Sequence, residues 1–308
     1  MAQRTAGQMA ERATGRAPEQ TICWLDGKIL PASEARISVL DHGFLFGDGV
    51  FEGIRVTSRG IFRFADHMKR LETAARSIGI EVPGGFERVR DAARDTTRAW
   101  GPREGYLRLI VTRGVGALGI DPSTCTAPEI VCIATGAAPL ATQKVERGLD
   151  LITSSLRRPA ADTLDPRVKS LNYLNNVLAK REAGLRGADD ALVLNARGLI
   201  AEASATNVFT LSGRTLDTPP TTDGALEGLT RRTVIELGRE HGLEVRERSL
   251  GRFDLYAADA VFLTGTRAGI VAVGSLDGSP ISKAGWPTVR ELAAAFDERA
   301  IELSTPVD

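Results

Sequence analysis

The chain has 308 residues, enough for two domains that each bury a core, and its 43% hydrophobic and 25% charged content is that of an ordinary globular protein. The 39 basic residues balance the 39 acidic ones, so no charge excess draws the chain to nucleic acid or an anionic membrane, and its expected partners are small molecules and copies of itself. Cys23, Cys125 and Cys132, like His42, His67 and His241, are scattered, which excludes a disulfide framework and a metal site and points to a reducing, cytoplasmic setting. No apolar run approaches the roughly 20 residues of a membrane-spanning helix.

In chain order, residues 1–18 carry Arg4, Glu11, Arg12 and Arg16 with no apolar core and read as a flexible extension. Short apolar runs at 22–31 and 35–40, broken by Asp26-Gly27 and Pro31-Ala32, predict strands joined by turns. The glycines of 41–49 match no dinucleotide fingerprint, and a strand starts at Val50. Met68, Leu71, Ala75 and Ile78 share one face of a predicted helix over 64–78, with Arg70 on another. A second helix is predicted over 86–100 and strands over 106–113 and 129–134. The long loop between those strands, 114–128, has the length of a lid or binding loop. Small residues over 135–141 are the natural place to divide the chain, into domains at 19–134 and 142–308.

The second half opens with a predicted strand at 149–156, and Pro166 then pushes Asp165 out of helical conformation. Lys169 is therefore expected in a loop just ahead of a helix beginning near Ser170, whose Leu171, Leu174, Val177 and Leu178 form a core-facing stripe. Lysines stand at only six positions, 28, 69, 144, 169, 180 and 283, against 33 arginines. Arginine stays charged and forms no stable imine, whereas a desolvated lysine amine can. Lys28 sits in an Asp26-Gly27 turn and Lys180 on the polar side of a helix, so a Schiff-base enzyme has few candidates here, and Lys169, held ahead of its helix, is one. Further on, 191–195 and 207–211 read as a strand pair with Glu202 in the linking stretch. Residues 224–230 lead into a helix at 231–241, whose first-turn amides form an anion site. A strand at 261–264 ends in Gly265-Thr266-Arg267. Taken singly, a lysine and a glutamate of this kind more often lie solvated on a surface. Together, a lysine for an aldehyde, a carboxylate for a ring nitrogen and helix-start donors for a phosphate are the parts that hold pyridoxal phosphate.

The ordered pieces Phe51-Glu52-Gly53-Ile54-Arg55, His67-Met68-Lys69-Arg70-Leu71, Tyr106-Leu107-Arg108, Lys169 to Asn176, Glu202 with Asn207, Gly228-Leu229-Thr230-Arg231 and Gly265-Thr266 resemble the class IV, or fold-type IV, aminotransferases over residues 22 to 280. The likeness is greatest to their branched-chain amino-acid branch. It implies an α+β chain with a smaller N-terminal α/β domain and a larger barrel-like C-terminal one, the cofactor between them, and a homodimer or higher homo-oligomer in which the loop 114–128 reaches toward the neighbouring site. It implies that Lys169 is the catalytic residue and carries pyridoxal 5′-phosphate as a Schiff base. Glu202 would then pair with the ring nitrogen, Tyr173 with the phenolic oxygen, and Arg70, Leu229, Thr230 and Thr266 with the phosphate. The implied substrate pocket comprises Phe46, Phe51, Gly53, Arg55, Tyr106, Arg108 and Arg267, taking amino acids and keto acids, with leucine, isoleucine and valine favoured.

Three departures stand out. Phe46 replaces a tyrosine, Ala203 and Ala205 replace common glycines, and Arg267 adds a cation where small residues are usual. Arg267 suits either a salt-bridged surface or a rewired carboxylate clamp, the latter as in a D-amino-acid aminotransferase. An amine transaminase and an aminodeoxychorismate-type lyase share the same core parts.

Overall fold

The computed structural model describes residues 21–137 and 141–307, so the expected extension, 1–18, and linker residues 138–140 lie outside the described residues. Two curled sheets carry the α+β fold. The first, in the order β16-β4-β3-β5-β6-β1-β2, comprises β1 (Ile22–Leu25), β2 (Lys28–Pro31), β3 (Gly49–Thr57), β4 (Gly60–Phe62), β5 (Gly105–Thr112), β6 (Glu129–Thr135) and the C-terminal β16 (Ser304–Thr305). Asp26 and Gly27 turn the β1–β2 hairpin with φ of 50° and 78°, the left-handed values that a two-residue hairpin requires. The helices Phe64–Ser77 and Glu87–Trp100 cover one face, burying Met68, Leu71, Ala74 and Ala75 from the first and Val89, Ala92 and Ala93 from the second. Alternation along β3 sends Val50, Glu52, Ile54 and Val56 toward those helices and Phe51, Gly53 and Arg55 to the other face.

The second sheet holds β7 (Leu149–Arg157), β8 (Asp190–Leu194), β9 (Ile200–Ala203), β10 (Asn207–Ser212), β11 (Thr215–Thr218), β12 (Glu244–Glu247), β13 (Ala260–Gly265) and β14 (Gly269–Leu276), with β15 (Ser279–Pro280) on β14. Its order is β12-β11-β10-β13-β14-β7-β8-β9. The turn 204–206 joins β9 to β10, which stand far apart in that order, so the sheet bends back on itself. The helix Trp286–Glu302 ties the halves together, its Phe296 meeting Phe62 of β4 edge-on at 5.8 Å.

Three sequence expectations change, and one short helix joins the predicted elements. Residues 35–40 form no strand: Ile37 and Val39 are exposed, and among the described residues no neighbouring strand claims the segment. A short helix, His42–Phe46, precedes β3, capped by Asp41, whose Oδ1 accepts from the amides of Gly43 and Phe44. Strand β8 pairs with β9 and not with β10, because the chain reverses at 195–198, so Glu202 lies on a strand. The helix after Lys169 is Leu174–Leu185, and its packed face is Asn176, Ala179 and Ala183. Leu174 and Val177 are 67% and 56% exposed, because this helix lies close to β7 and β8, where small residues fit.

Candidate active site

The segment ahead of that helix is not a free loop. Strand β4 pairs only with the Val56–Thr57 end of β3, which leaves the Gly49 end of that edge unpaired by β4. Residues 169–171 fill it: the Phe51 amide donates to the Lys169 carbonyl at 2.9 Å, and the Leu171 amide donates to the Gly49 carbonyl at 2.9 Å. Backbone hydrogen bonds between the two halves thus position the lysine. Its Nζ donates to Tyr173 Oη at 3.0 Å and stands 4.6 Å from the Phe51 ring centroid. Phe51 and Tyr173 meet edge to face at 4.9 Å.

Antiparallel register sets Arg108 opposite Gly53 and Tyr106 opposite Arg55. The Arg108 guanidinium lies 4.4 Å over Phe51 and donates to Tyr106 Oη at 2.9 Å. Gly53 is required here, since a Cβ would come within 2.1 Å of that hydroxyl. Gly53→Ala is therefore expected to displace Tyr106 and lower kcat/KM on the order of 10-fold or more, with the melting temperature little changed. Steady-state kinetics check this, and unaltered kinetics would remove the Tyr106–Arg108 pair from the site.

Glu202 is buried at 3% exposure, and three donors hold it: Arg158 Nη2 at 2.7 Å from Oε1, and the Leu226 amide at 3.0 Å and Asn207 Nδ2 at 3.2 Å from Oε2. A carboxylate has about four lone-pair positions, so one remains for a further N–H. Arg158 is itself buried, donating also to Asn176 Oδ1 and the Gly224 carbonyl. Sequence reasoning missed it. The available signal was an arginine just before Pro159, at the end of a strand running toward the lysine segment.

Asn207 also donates to the Leu226 carbonyl at 2.9 Å, and a Cβ on Gly228 would lie 2.1 Å from its Oδ1. Glu202 is thereby linked to the start of the helix Leu229–Glu240, which has no side-chain cap among the described residues. Arg70 reaches the same place, donating from Nη1 to the Glu227 carbonyl at 2.5 Å. The helices that supply these donors are clamped together: Arg63 donates to Thr233 Oγ1 at 2.8 Å and pairs with Asp66 and Glu236, and Arg232 pairs with Asp66. A guanidinium beside uncapped helix-start amides suits a phosphate dianion, and the buried Thr206 Oγ1 and Thr264 Oγ1 near Gly265 have no partner among the described residues.

The remaining expected residues divide. Thr266 and Arg267 line a cavity of about 720 Å³ with Tyr106, and Arg267 stacks 5.6 Å from the Tyr106 ring. Arg55 also lines that cavity, paired with Asp297 at 2.7 Å and Glu104 at 3.4 Å. Lys169 does not line this cavity; Tyr106 joins the two regions. Phe46 is 37% exposed and packs edge-on at 4.9 Å against His42, which is hydrogen-bonded to the Ala117 carbonyl of the 114–128 loop. No ring contact or hydrogen bond links the Phe46 side chain to Lys169, Tyr173, Phe51, Tyr106 or Arg108 among the described residues.

A lysine amine beside a phenol, a buried carboxylate with one open position and the donors of two clamped helices thus come together where the two sheets meet. Residues 49–276 match the family model described as amino-transferase class IV. A putative branched-chain-amino-acid aminotransferase of Methanocaldococcus jannaschii is 45% identical over 282 residues, covering 92% of this chain and 96% of its own. The Escherichia coli branched-chain-amino-acid aminotransferase is 33% identical over 280 residues, 89% and 91% of the two chains. Its crystal structure superposes with a TM-score of 0.86 at 32% identity, covering 92% and 96%. The branched-chain amino acid aminotransferase of Thermobaculum terrenum in its PLP-form gives a TM-score of 0.81 at 32% identity, covering 93% and 98%. This chain belongs to the class IV aminotransferase family.

Proposed function

We propose that the protein transfers the amino group of a branched-chain L-amino acid to a 2-keto acid such as 2-oxoglutarate, using pyridoxal 5′-phosphate. The observation that carries this reading is the single cluster of Lys169, Tyr173, Phe51, Tyr106 and Arg108, where an amine, an apolar wall and carboxylate-binding donors meet. When bound, the cofactor supplies an aldehyde for amine exchange and a ring that accepts the electron pair left by the departing α-proton. Lys169 would hold it covalently, Glu202 at the ring nitrogen, Tyr173 at the phenolic oxygen, and Arg70, Leu229, Thr230 and Thr266 at the phosphate. Lys169 Nζ takes the proton from the substrate α-carbon, while Tyr173 Oη, 3.0 Å away, orients that amine. Glu202, paired with Arg158, presents a carboxylate whose charge favours a protonated ring nitrogen. Tyr106 Oη and Arg108 orient the substrate carboxylate, and Phe51 excludes water beside the reacting carbon.

We divide the chain into domains at 135–141; the two sheets support this reading, with β16 returning to the first. Among the described residues no helix is long and apolar enough to cross a membrane. The three scattered cysteines favour a reducing, cytoplasmic setting. Exposed Phe44, Leu118 and Ile120 favour a homodimer, in which a second copy covers the 114–128 loop. A donor screen with L-leucine, D-alanine and D-glutamate against 2-oxoglutarate tests the substrate. L-leucine is expected to dominate, and a faster D-alanine rate would replace this reading with a D-amino-acid one. Arg267→Ala is expected to lower kcat/KM by about 10-fold through the loss of a charged carboxylate contact. Unchanged kinetics with all three donors would place Arg267 outside the site.

A further inference from the structure

Glu52 is the least expected residue near the site, a carboxylate with 0% exposure on the core face of β3. It accepts from Arg70 twice, from Nε at 2.6 Å and from Nη2 at 2.7 Å, and from His67 Nδ1 at 2.8 Å. Arg70 lies just short of a full turn beyond His67 on the helix Phe64–Ser77, so both side chains converge on one carboxylate. With Nη1 also bonded to the Glu227 carbonyl, three of the five N–H groups that an arginine carries are committed. Two remain, one on each terminal nitrogen.

Resting on the reading of this chain as a pyridoxal-phosphate enzyme, we infer that Glu52 and His67 are positioning residues for the cofactor's phosphate. They hold the Arg70 guanidinium plane so that its two uncommitted N–H groups face the start of the helix Leu229–Glu240. Glu52 and Arg70 cancel in charge, so the cup recognises the phosphate by the direction of its donors and not by excess charge. Burial opposes ionisation of Glu52, yet the adjacent Arg70 and His67 hold its carboxyl far below the usual range. Burial pushes His67 down despite that carboxylate, which fits a neutral ring donating from Nδ1, its Nε2 buried without a partner among the described residues. A second cation on a carboxylate already neutralised by Arg70 would bury uncompensated charge.

Glu52→Gln puts an amide N–H against the arginine's own N–H groups and frees the guanidinium to turn. The apoprotein should then bind pyridoxal 5′-phosphate about 10- to 100-fold more weakly, as for outer-shell partners elsewhere, and bind phosphate-free pyridoxal within about 2-fold of the wild type. Absorbance titration of apoprotein with each aldehyde reads both values. His67→Asn keeps a donor where Nδ1 stands and should preserve phosphate discrimination, whereas His67→Leu should lose it. These variants carry the test if Glu52→Gln fails to fold. Equal weakening toward both aldehydes, or unaltered discrimination in Glu52→Gln and His67→Leu, overturns the inference. A wild-type protein that forms no imine with either aldehyde would instead overturn the cofactor reading itself.

Discussion

Lys169→Ala is expected to reduce transamination by at least about 10³-fold and to remove the visible absorption of cofactor-loaded protein. Its Nζ is the amine that contacts both Tyr173 and Phe51, so no other side chain replaces it. The substitution leaves the fold intact, because the segment is held by backbone hydrogen bonds to Phe51 and Gly49 that alanine can also make. A melting temperature near the wild-type value with loss of rate and colour is the result expected. Retained turnover and colour would end the assignment of Lys169 as nucleophile. Borohydride reduction of loaded wild-type protein followed by peptide mass mapping locates the modified residue independently.

Arg158→Leu should produce the largest loss of stability. Arg158 is 8% exposed and is the cation paired with Glu202 at 2.7 Å. Removing it leaves a buried carboxylate without its counter-charge, which costs about 3–5 kcal/mol. The melting temperature should fall on the order of 10 °C. Replacing both partners, as Arg158→Leu with Glu202→Leu, removes the unpaired charge and should recover most of that loss without recovering activity. Thermal unfolding of the single and double variants separates the two roles. A single variant as stable as wild type would show that Asn207 and the Leu226 amide suffice to hold Glu202. Glu202→Ala alone should retain bound cofactor while slowing proton abstraction, and an unchanged single-turnover rate would remove its electron-sink role.

The local periodicities were legible because each element buries its own face: the helix at 64–77 follows its Met68–Leu71–Ala75 stripe, and β3 and β5 follow their alternation. The same rule failed at Leu174, Val177 and Leu178. There the helix packs through Asn176, Ala179 and Ala183 at close range, and the larger apolar side chains face outward. Residues 35–40 failed as a strand because β propensity acts only where a neighbouring edge exists to pair with. Of the site, the lysine, the ring carboxylate and the helix start could be named from residue type and order. Arg158, Glu52 and the orientation of Arg70 could not, since they depend on partners between 15 and 157 positions away.

Chemistry-bearing side chains and the runs between them belong to the sequence: few lysines, one of them ahead of a helix, a later glutamate, and glycines where chains approach closely. Tertiary structure alone decided that residues 169–171 complete the open edge of β3, that Arg158 pairs with Glu202, and that Arg55 is spent on Asp297 and Glu104. The physical reason is range. Propensity and periodicity act over a few neighbouring residues, whereas burying a charge requires its counter-charge from wherever the fold brings one.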